Sequence, residues 1–135
     1  MEKKIIPILS IFIIMITIFC GCQGSQVEQE KNVYFTSDVA KLYNYNIEHI
    51  KDVNEKIVEI KVTGDIENTA DHILLLRIYA EFYDKNNNYL GESYYEIDSL
   101  RVKPNPGYYT SFEITYNQDN AKYVDYVKLR ADEYP

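Results

Sequence analysis

The chain has 135 residues with 21 acidic and 14 basic side chains, a net charge of −7 at neutral pH. That is chain enough for one domain and not for two, and a surface of this sign repels phosphate backbones, which argues against nucleic acid as a partner and against direct adhesion to anionic lipid. Fourteen residues are tyrosine, none is tryptophan and two are cysteine.

The chain opens with a short basic start, MEKK, followed by an uncharged apolar run, IIPILSIFIIMITIF, from Ile5 to Phe19. This order describes a secretory signal. A spanning helix needs ~20 apolar residues. The run is short for that and holds Pro7 in its first turn, although left uncleaved it would be a spanning anchor. Both cysteines follow at once in FCGCQGSQ, Phe19 to Gln26. A disulfide between Cys20 and Cys22 would close a strained loop. A metal site needs more ligands than two thiols, and His49 and His72 lie far along the chain. The residues FCGC resemble the lipobox of prokaryotic lipoproteins, in which a small residue precedes an invariant cysteine. The resemblance implies a diacylglyceryl group on Cys22, with Gly21 as the small residue and cleavage making Cys22 the first residue of the mature chain. Cys20 fits badly as the acceptor because Phe19 would precede it. Phe19 and Cys20 also depart from the usual aliphatic and small residues upstream. Two acyl chains suffice for stable anchoring.

The expected organisation is therefore a signal peptide over 1–21, a lipidated flexible tether over 22–32 and one domain over 33–135, at the extracytoplasmic face of the cell membrane. Cys20 leaves with the signal, so the exported part has no disulfide and packing alone must stabilise it. Removing Glu2, Lys3 and Lys4 leaves 12 basic and 20 acidic residues, a net charge of −8. Gln23 to Asn32, QGSQVEQEKN, is polar and without aromatics, as a tether requires.

From Val33 onward most of the sequence alternates with period two, the mark of half-buried strands. The segment DVAKLYNYNIEHIKDV is the exception. Its Val39, Leu42, Ile47, Ile50 and Val53 fit helical spacing and Ser37 is placed to cap a helix, so a short helical turn over Asp38 to Leu42 is expected, then a first strand. Ile57 to Ile66, IVEIKVTGDI, places Val58, Ile60, Val62 and Ile66 on one face. After the turn-rich ENTAD, Ile73 to Asp84 reads ILLLRIYAEFYD. Leu74, Leu76, Ile78, Ala80 and Phe82 face inward there, and Arg77, Tyr79, Glu81 and Tyr83 outward. DKNNN, Asp84 to Asn88, is hairpin chemistry leading into a strand over Tyr89 to Ile97. KPNPG, Lys103 to Gly107, is a loop, because two prolines remove two ladder donors. Tyr108 to Tyr116 alternates again with Phe112 and Ile114 inward, and Tyr123 to Ala131 supplies a last strand with Val127 and Leu129 inward. Several short strands with regular turns point to two packed antiparallel sheets.

The stretch YAEFYDKNNNYLGE, with VTGDIENT upstream and LRVKPNPGYYTSFEI downstream, resembles the FxLYD domain, an immunoglobulin-like β-sandwich of prokaryotic envelope proteins, often lipoproteins. Gly64, Asn68, Tyr83, Asp84, Leu90, Gly91, Leu100, Pro106, Gly107 and Phe112 take the places of the family pattern, over Ile57 to about Leu129. Ala80 and Phe82 stand where the family has Phe and Leu. The resemblance implies an all-β fold, an immunoglobulin-like antiparallel β-sandwich, and carries no catalytic residues. The expected role is a non-catalytic binding or structural domain at the envelope; the alternative is an accessory or assembly subunit of a larger membrane complex, with a sheet edge that accepts a partner's strand.

No constellation points to an enzyme. DKNNNYLGE spaces its oxygens like a calcium loop, but Tyr89 and Tyr95 stand where the glycine and bidentate glutamate are needed. Ser93 in GESYY lacks the nucleophile elbow, since Tyr95 replaces the second glycine. The histidines share no ligand spacing. No metal, cofactor or catalytic group is therefore expected. The tyrosines matter more: Tyr79 and Tyr83 fall outward beside Arg77 and Glu81, with Tyr94 on the next strand. Rigid aromatic area with a polar tip suits a protein or sugar partner, although strands also favour tyrosine intrinsically. Arg77, Tyr79, Glu81, Tyr83 and Tyr94 form the candidate face for an envelope protein or polysaccharide.

Overall fold

The computed structural model describes residues 32–135; the expected signal, Cys22 and the tether up to residue 31 lie outside the described residues. Seven strands follow in order: β1 (Val33–Thr36), β2 (Ala40–Lys51), β3 (Ile57–Asn68), β4 (Leu74–Tyr83), β5 (Tyr89–Leu100), β6 (Tyr109–Tyr116) and β7 (Tyr126–Glu133). They form a four-stranded sheet of order β1-β7-β4-β5 and a three-stranded sheet of order β2-β3-β6. The two pack as a β-sandwich, as the alternation predicts. Every pairing is antiparallel except that of β1, which runs parallel to β7.

The core is the sum of the inward parities. Leu74, Leu76, Ile78, Ala80 and Phe82 of β4 are each 0% exposed. They share one cluster with Ile60, Val62 and Ile66 of β3, Phe112 and Ile114 of β6, and Val127 and Leu129 of β7. Each large apolar side chain so buried contributes about 1.5–3 kcal/mol. Val58 shares the parity of Ile60 yet is exposed, because it sits at the open end of its strand.

The expected helical turn over Asp38 to Leu42 is absent. Ser37 Oγ does accept the amides of Val39 and Ala40, at 3.2 and 3.1 Å, as a cap would. Its hydroxyl donates to the Ala131 carbonyl at 2.6 Å, and the chain then continues extended as β2. The misleading signal was a bulge. The register with β3 shifts between Tyr43 and Asn46, where Asn44 takes φ 49°. The extra residue lets Leu42 and Ile47, five apart, both pack on the core, a spacing that imitates a helix and breaks period two.

Other boundaries also moved. Glu67 and Asn68, expected in a turn, end β3 and are buried. Asn68 Nδ2 donates to the carbonyls of His72 and Leu100, at 2.9 and 2.8 Å, and Oδ1 accepts the Ala70 amide at 2.8 Å. One side chain thus fastens the point where the chain leaves the small sheet for the large one. A short 3₁₀ turn, Ala121–Tyr123, precedes β7, which begins three residues later than the alternation suggested. In the hairpin Asp84 Oδ1 accepts the amides of Asn86 and Asn88, at 2.8 and 2.9 Å, and Asn87 takes φ 65°. With the Asn88 side-chain amide on Oδ2 at 3.0 Å, the turn engages both Asp84 carboxylate oxygens. The Tyr116 hydroxyl is enclosed 2.9 Å from the Leu90 carbonyl and 2.6 Å from Asn120 Oδ1. Gly91 makes room for it, since a Cβ there would overlap the Tyr116 hydroxyl and lie 2.9 Å from its ring.

Two outcomes follow from this packing. Gly91→Ala should cost about 1–3 kcal/mol of stability in urea unfolding, the usual range for overpacking; an unchanged midpoint would show that Tyr116 can move aside. His72, in the β3–β4 connection, has Nδ1 2.9 Å from Asp71 Oδ1 and Nε2 2.8 Å from Glu133 Oε1 of β7. The Asp71 contact and then the Glu133 contact raise its pKa above the ordinary 6.5. A raised folded value means a stabilisation fully present below about 6.5 and lost as pH rises through the folded pKa. The His72 ring protons should titrate above 6.5 by NMR, and His72→Gln should remove that part of the pH dependence.

Candidate binding face

The outward residues of β4 are carried on a strand whose other face is the core, so the ladder positions them firmly. The register sets Arg77 beside Glu96 and Asp132, Tyr79 beside Tyr94 and Arg130, Glu81 beside Glu92 and Lys128, and Tyr83 beside Tyr89 and Tyr126. The five residues expected from the sequence, Arg77, Tyr79, Glu81, Tyr83 and Tyr94, therefore share one surface of the four-stranded sheet.

At the hairpin end of that surface four tyrosines, one from each strand, run across the sheet. Tyr34 meets Tyr126 edge-on at 5.5 Å, Tyr126 stacks on Tyr83 at 5.1 Å and 6°, and Tyr83 meets Tyr89 edge-on at 5.9 Å. Lys128 Nζ lies 4.7 Å from the Tyr83 ring centre, and the Tyr126 hydroxyl donates to Asn87 Oδ1 at 3.0 Å. Tyr83 and Tyr126 thus spend much of their ring faces on each other and on the lysine. Tyr34, Tyr89 and Tyr94 are 50%, 54% and 59% exposed and remain available to a partner.

The other end is cationic and aromatic. Arg77 Nε donates to Glu96 Oε1 at 2.9 Å and Nη1 to the Tyr79 hydroxyl at 3.2 Å. Its guanidinium lies 4.6 Å from the Tyr134 ring and 5.0 Å from Tyr94. Those hydrogen bonds, to Tyr79 and to Glu96, raise its pKa further and hold it charged. Arg130 lies 4.8 Å over Tyr79 while donating to Asp132 at 2.6 Å. Between the two ends Glu81 accepts the Tyr83 hydroxyl at 2.9 Å, a bond that with burial pushes the Tyr83 phenol pKa up. Glu81 also faces Glu92 directly across the ladder, an arrangement that favours a cation nearby.

Sequence reasoning missed Tyr34, Tyr126, Lys128 and Arg130. The last three were visible as the outward parity of a strand whose Val127 and Leu129 point inward. What could not be read was that this strand lies against β4.

The opposite outer surface holds a second polar cluster. Glu67 is 3% exposed, accepts the Tyr43 hydroxyl at 2.8 Å and Lys103 Nζ at 3.0 Å, and has a lowered pKa, from the Lys103 bond first. It fastens the proline-containing loop across the small sheet. His49 Nε2 lies 3.1 Å from the Val124 carbonyl. Among the described residues no three His, Cys, Asp or Glu side chains group to hold a metal ion. No protein family, curated protein or solved structure matches the chain.

A double-mutant cycle should separate building from binding. Tyr83→Ala and Tyr126→Ala should each destabilise the domain and couple by about 0.5–1.5 kcal/mol, the range for packed aromatic pairs. Tyr94→Ala should stay within about 0.5 kcal/mol of the parent, as for surface sites. Additive losses at Tyr83 and Tyr126 would mean that the stack contributes nothing of its own.

Proposed function

We propose that this chain is an exported lipoprotein of the FxLYD kind, held at the cell membrane by acyl chains on Cys22 and presenting one non-catalytic β-sandwich to the envelope. The observation that carries the binding role is the outward surface of the large sheet, where rigid tyrosines interleave with charges of both signs. Such a surface presents area without ordering cost, because neighbours already hold its side chains. A protein suits it better than a polysaccharide. A sugar stacks on open ring faces, and the two central rings face each other.

The FxLYD reading rests on the resemblance of the residue pattern, and three of its positions have structural work in this chain. Asn68 fastens the sheet crossover, Asp84 closes the hairpin, and Gly91 admits the Tyr116 hydroxyl. A second reading, an accessory or assembly subunit of a membrane complex, is favoured by the strand edges of both sheets that are unpaired among the described residues, onto which a partner's strand can add.

Mass spectrometry of the mature protein tests the anchor. The first peptide should begin at a Cys22 bearing a diacylglyceryl group, and Cys22→Ala should leave the membrane fraction. An unmodified peptide that retains Ile5 to Phe19 would replace the lipid anchor with a spanning one.

A further inference from the structure

Three connections meet at the end of the sandwich where the described chain begins. The Asn32 carbonyl accepts the Val127 amide at 2.9 Å, so the chain enters beside the first residues of β7. The Asp84–Asn88 hairpin lies at this end, because the Asp125 amide just before β7 donates to the Tyr83 carbonyl at 2.8 Å. The β2–β3 turn closes the same end of the small sheet, where His49 reaches the Val124 carbonyl. The opposite end holds the β1–β2 connection, the β3–β4 crossover and the Lys103–Gly107 loop.

The entry end is rimmed with aromatic rings. Tyr34, Tyr89 and Tyr123 are 50%, 54% and 59% exposed, and Val53, on the β2–β3 turn, is 98% exposed. Lys122 Nζ lies 5.1 Å from the Tyr123 ring centre, and both residues line a cleft of about 500 Å³ with Lys85 of the hairpin. Half-exposed tyrosines beside lysines that can extend along them are the composition of a lipid–water boundary. Charge points the same way. Residues 32–135 hold 11 basic and 18 acidic side chains, a net −7, whereas 51–56, 84–88 and 117–125 together hold four lysines and five carboxylates, a net −1. The connections at the opposite end are balanced, so the acidity lies on the sheet faces, and an anionic surface repels the faces more than either end.

Chain length selects between the two ends. Asn32 follows Cys22 by ten residues, which span about 35 Å when fully extended. The twelve residues of β3 alone run about 40 Å. Standing the opposite end on the lipid would lift Asn32 beyond the reach of those ten residues. We infer that the domain sits on the lipid surface to which it is anchored by its entry end, with Tyr34, Tyr89 and Tyr123 at headgroup level and Lys85 and Lys122 among the headgroups. The inference rests on the lipid anchor at Cys22 and adds to it the direction in which the domain stands. A free domain of this charge would not gather at an anionic surface; a tethered one is already there, and only its orientation is left to settle. Seated in this way, the Arg77, Tyr79 and Tyr94 end of the large sheet points away from the membrane and stays open to an envelope partner.

The chain has no tryptophan, so a single introduced one reports depth by fluorescence. Val53→Trp and Tyr123→Trp place it at the entry end, and Ile73→Trp places it at the opposite end on a side chain as exposed as Tyr123, 59%. Each full-length chain, expressed in its membrane and purified, is reconstituted into vesicles of phosphatidylcholine and phosphatidylglycerol with or without brominated acyl chains. The vesicles are floated to show that the chain travels with them. Bromine should quench the tryptophan at 53 and at 123 and leave that at 73 bright. In the Val53→Trp chain, Lys85→Gln should lower the ratio of seated to unseated domain about fivefold, the scale of one lysine near an anionic surface; an unchanged ratio would overturn the place given to that lysine. Equal quenching at the two ends, or none at either, in a chain that floats would overturn the seating and leave the anchor standing. A chain that does not float would overturn both.

Discussion

β4 is the strand on which the rest of the domain depends. It lies between β7 and β5, and its inward parity supplies five side chains that water does not reach. A one-residue slip in its register would exchange Leu76, Ile78, Ala80 and Phe82 for Arg77, Tyr79, Glu81 and Tyr83, removing the core and burying charge. The same constraint makes the outward face rigid. Tyr79 and Tyr83 cannot move independently of Ile78 and Phe82, so the stability of the core is transmitted directly to the surface proposed to bind.

Apolar burial is non-directional and does not choose where the chain crosses between sheets. Polar side chains make that choice here. Asn68 bonds both sides of the β3–β4 crossover. Ser37 ties the start of β2 to the Ala131 carbonyl of β7, and Tyr116 with Asn120 joins the end of β6 to the start of β5. No buried side-chain polar atom among the described residues lacks a partner. This is the condition under which such pins specify a structure at little cost. Both cysteines precede the domain, so these bonds stand in place of the disulfide that joins the sheets in many sandwiches of this architecture.

The abundance of tyrosine resolves into several jobs. Tyr116 is a core residue with a polar tip, stacked on Phe82 at 4.5 Å. Tyr43 and Tyr109 meet edge-on at 5.6 Å over the small sheet, where Tyr43 also bonds Glu67. Tyr83 and Tyr126 brace the large sheet, and Tyr34, Tyr89 and Tyr94 face solvent. Strand propensity accounts for the number of tyrosines; position decides what each one does.

Read alone, the sequence determined the β class, the inward residues of β3, β4, β6 and β7, the hairpin at Asp84 and the loop at Lys103. Each of these is written in local alternation or turn chemistry, which operates over a few residues. It placed Arg77, Tyr79, Glu81, Tyr83 and Tyr94 on one side for the same reason, since they lie on a strand and its hairpin partner. Only the tertiary structure decided that β2 is a bulged strand, because a helix-like spacing and a bulge look alike until β3 lies alongside. Only it brought Tyr126, Lys128 and Arg130 against β4. Pairings between strands far apart in the chain arise from the competition of whole faces for burial, and no local pattern records which faces meet.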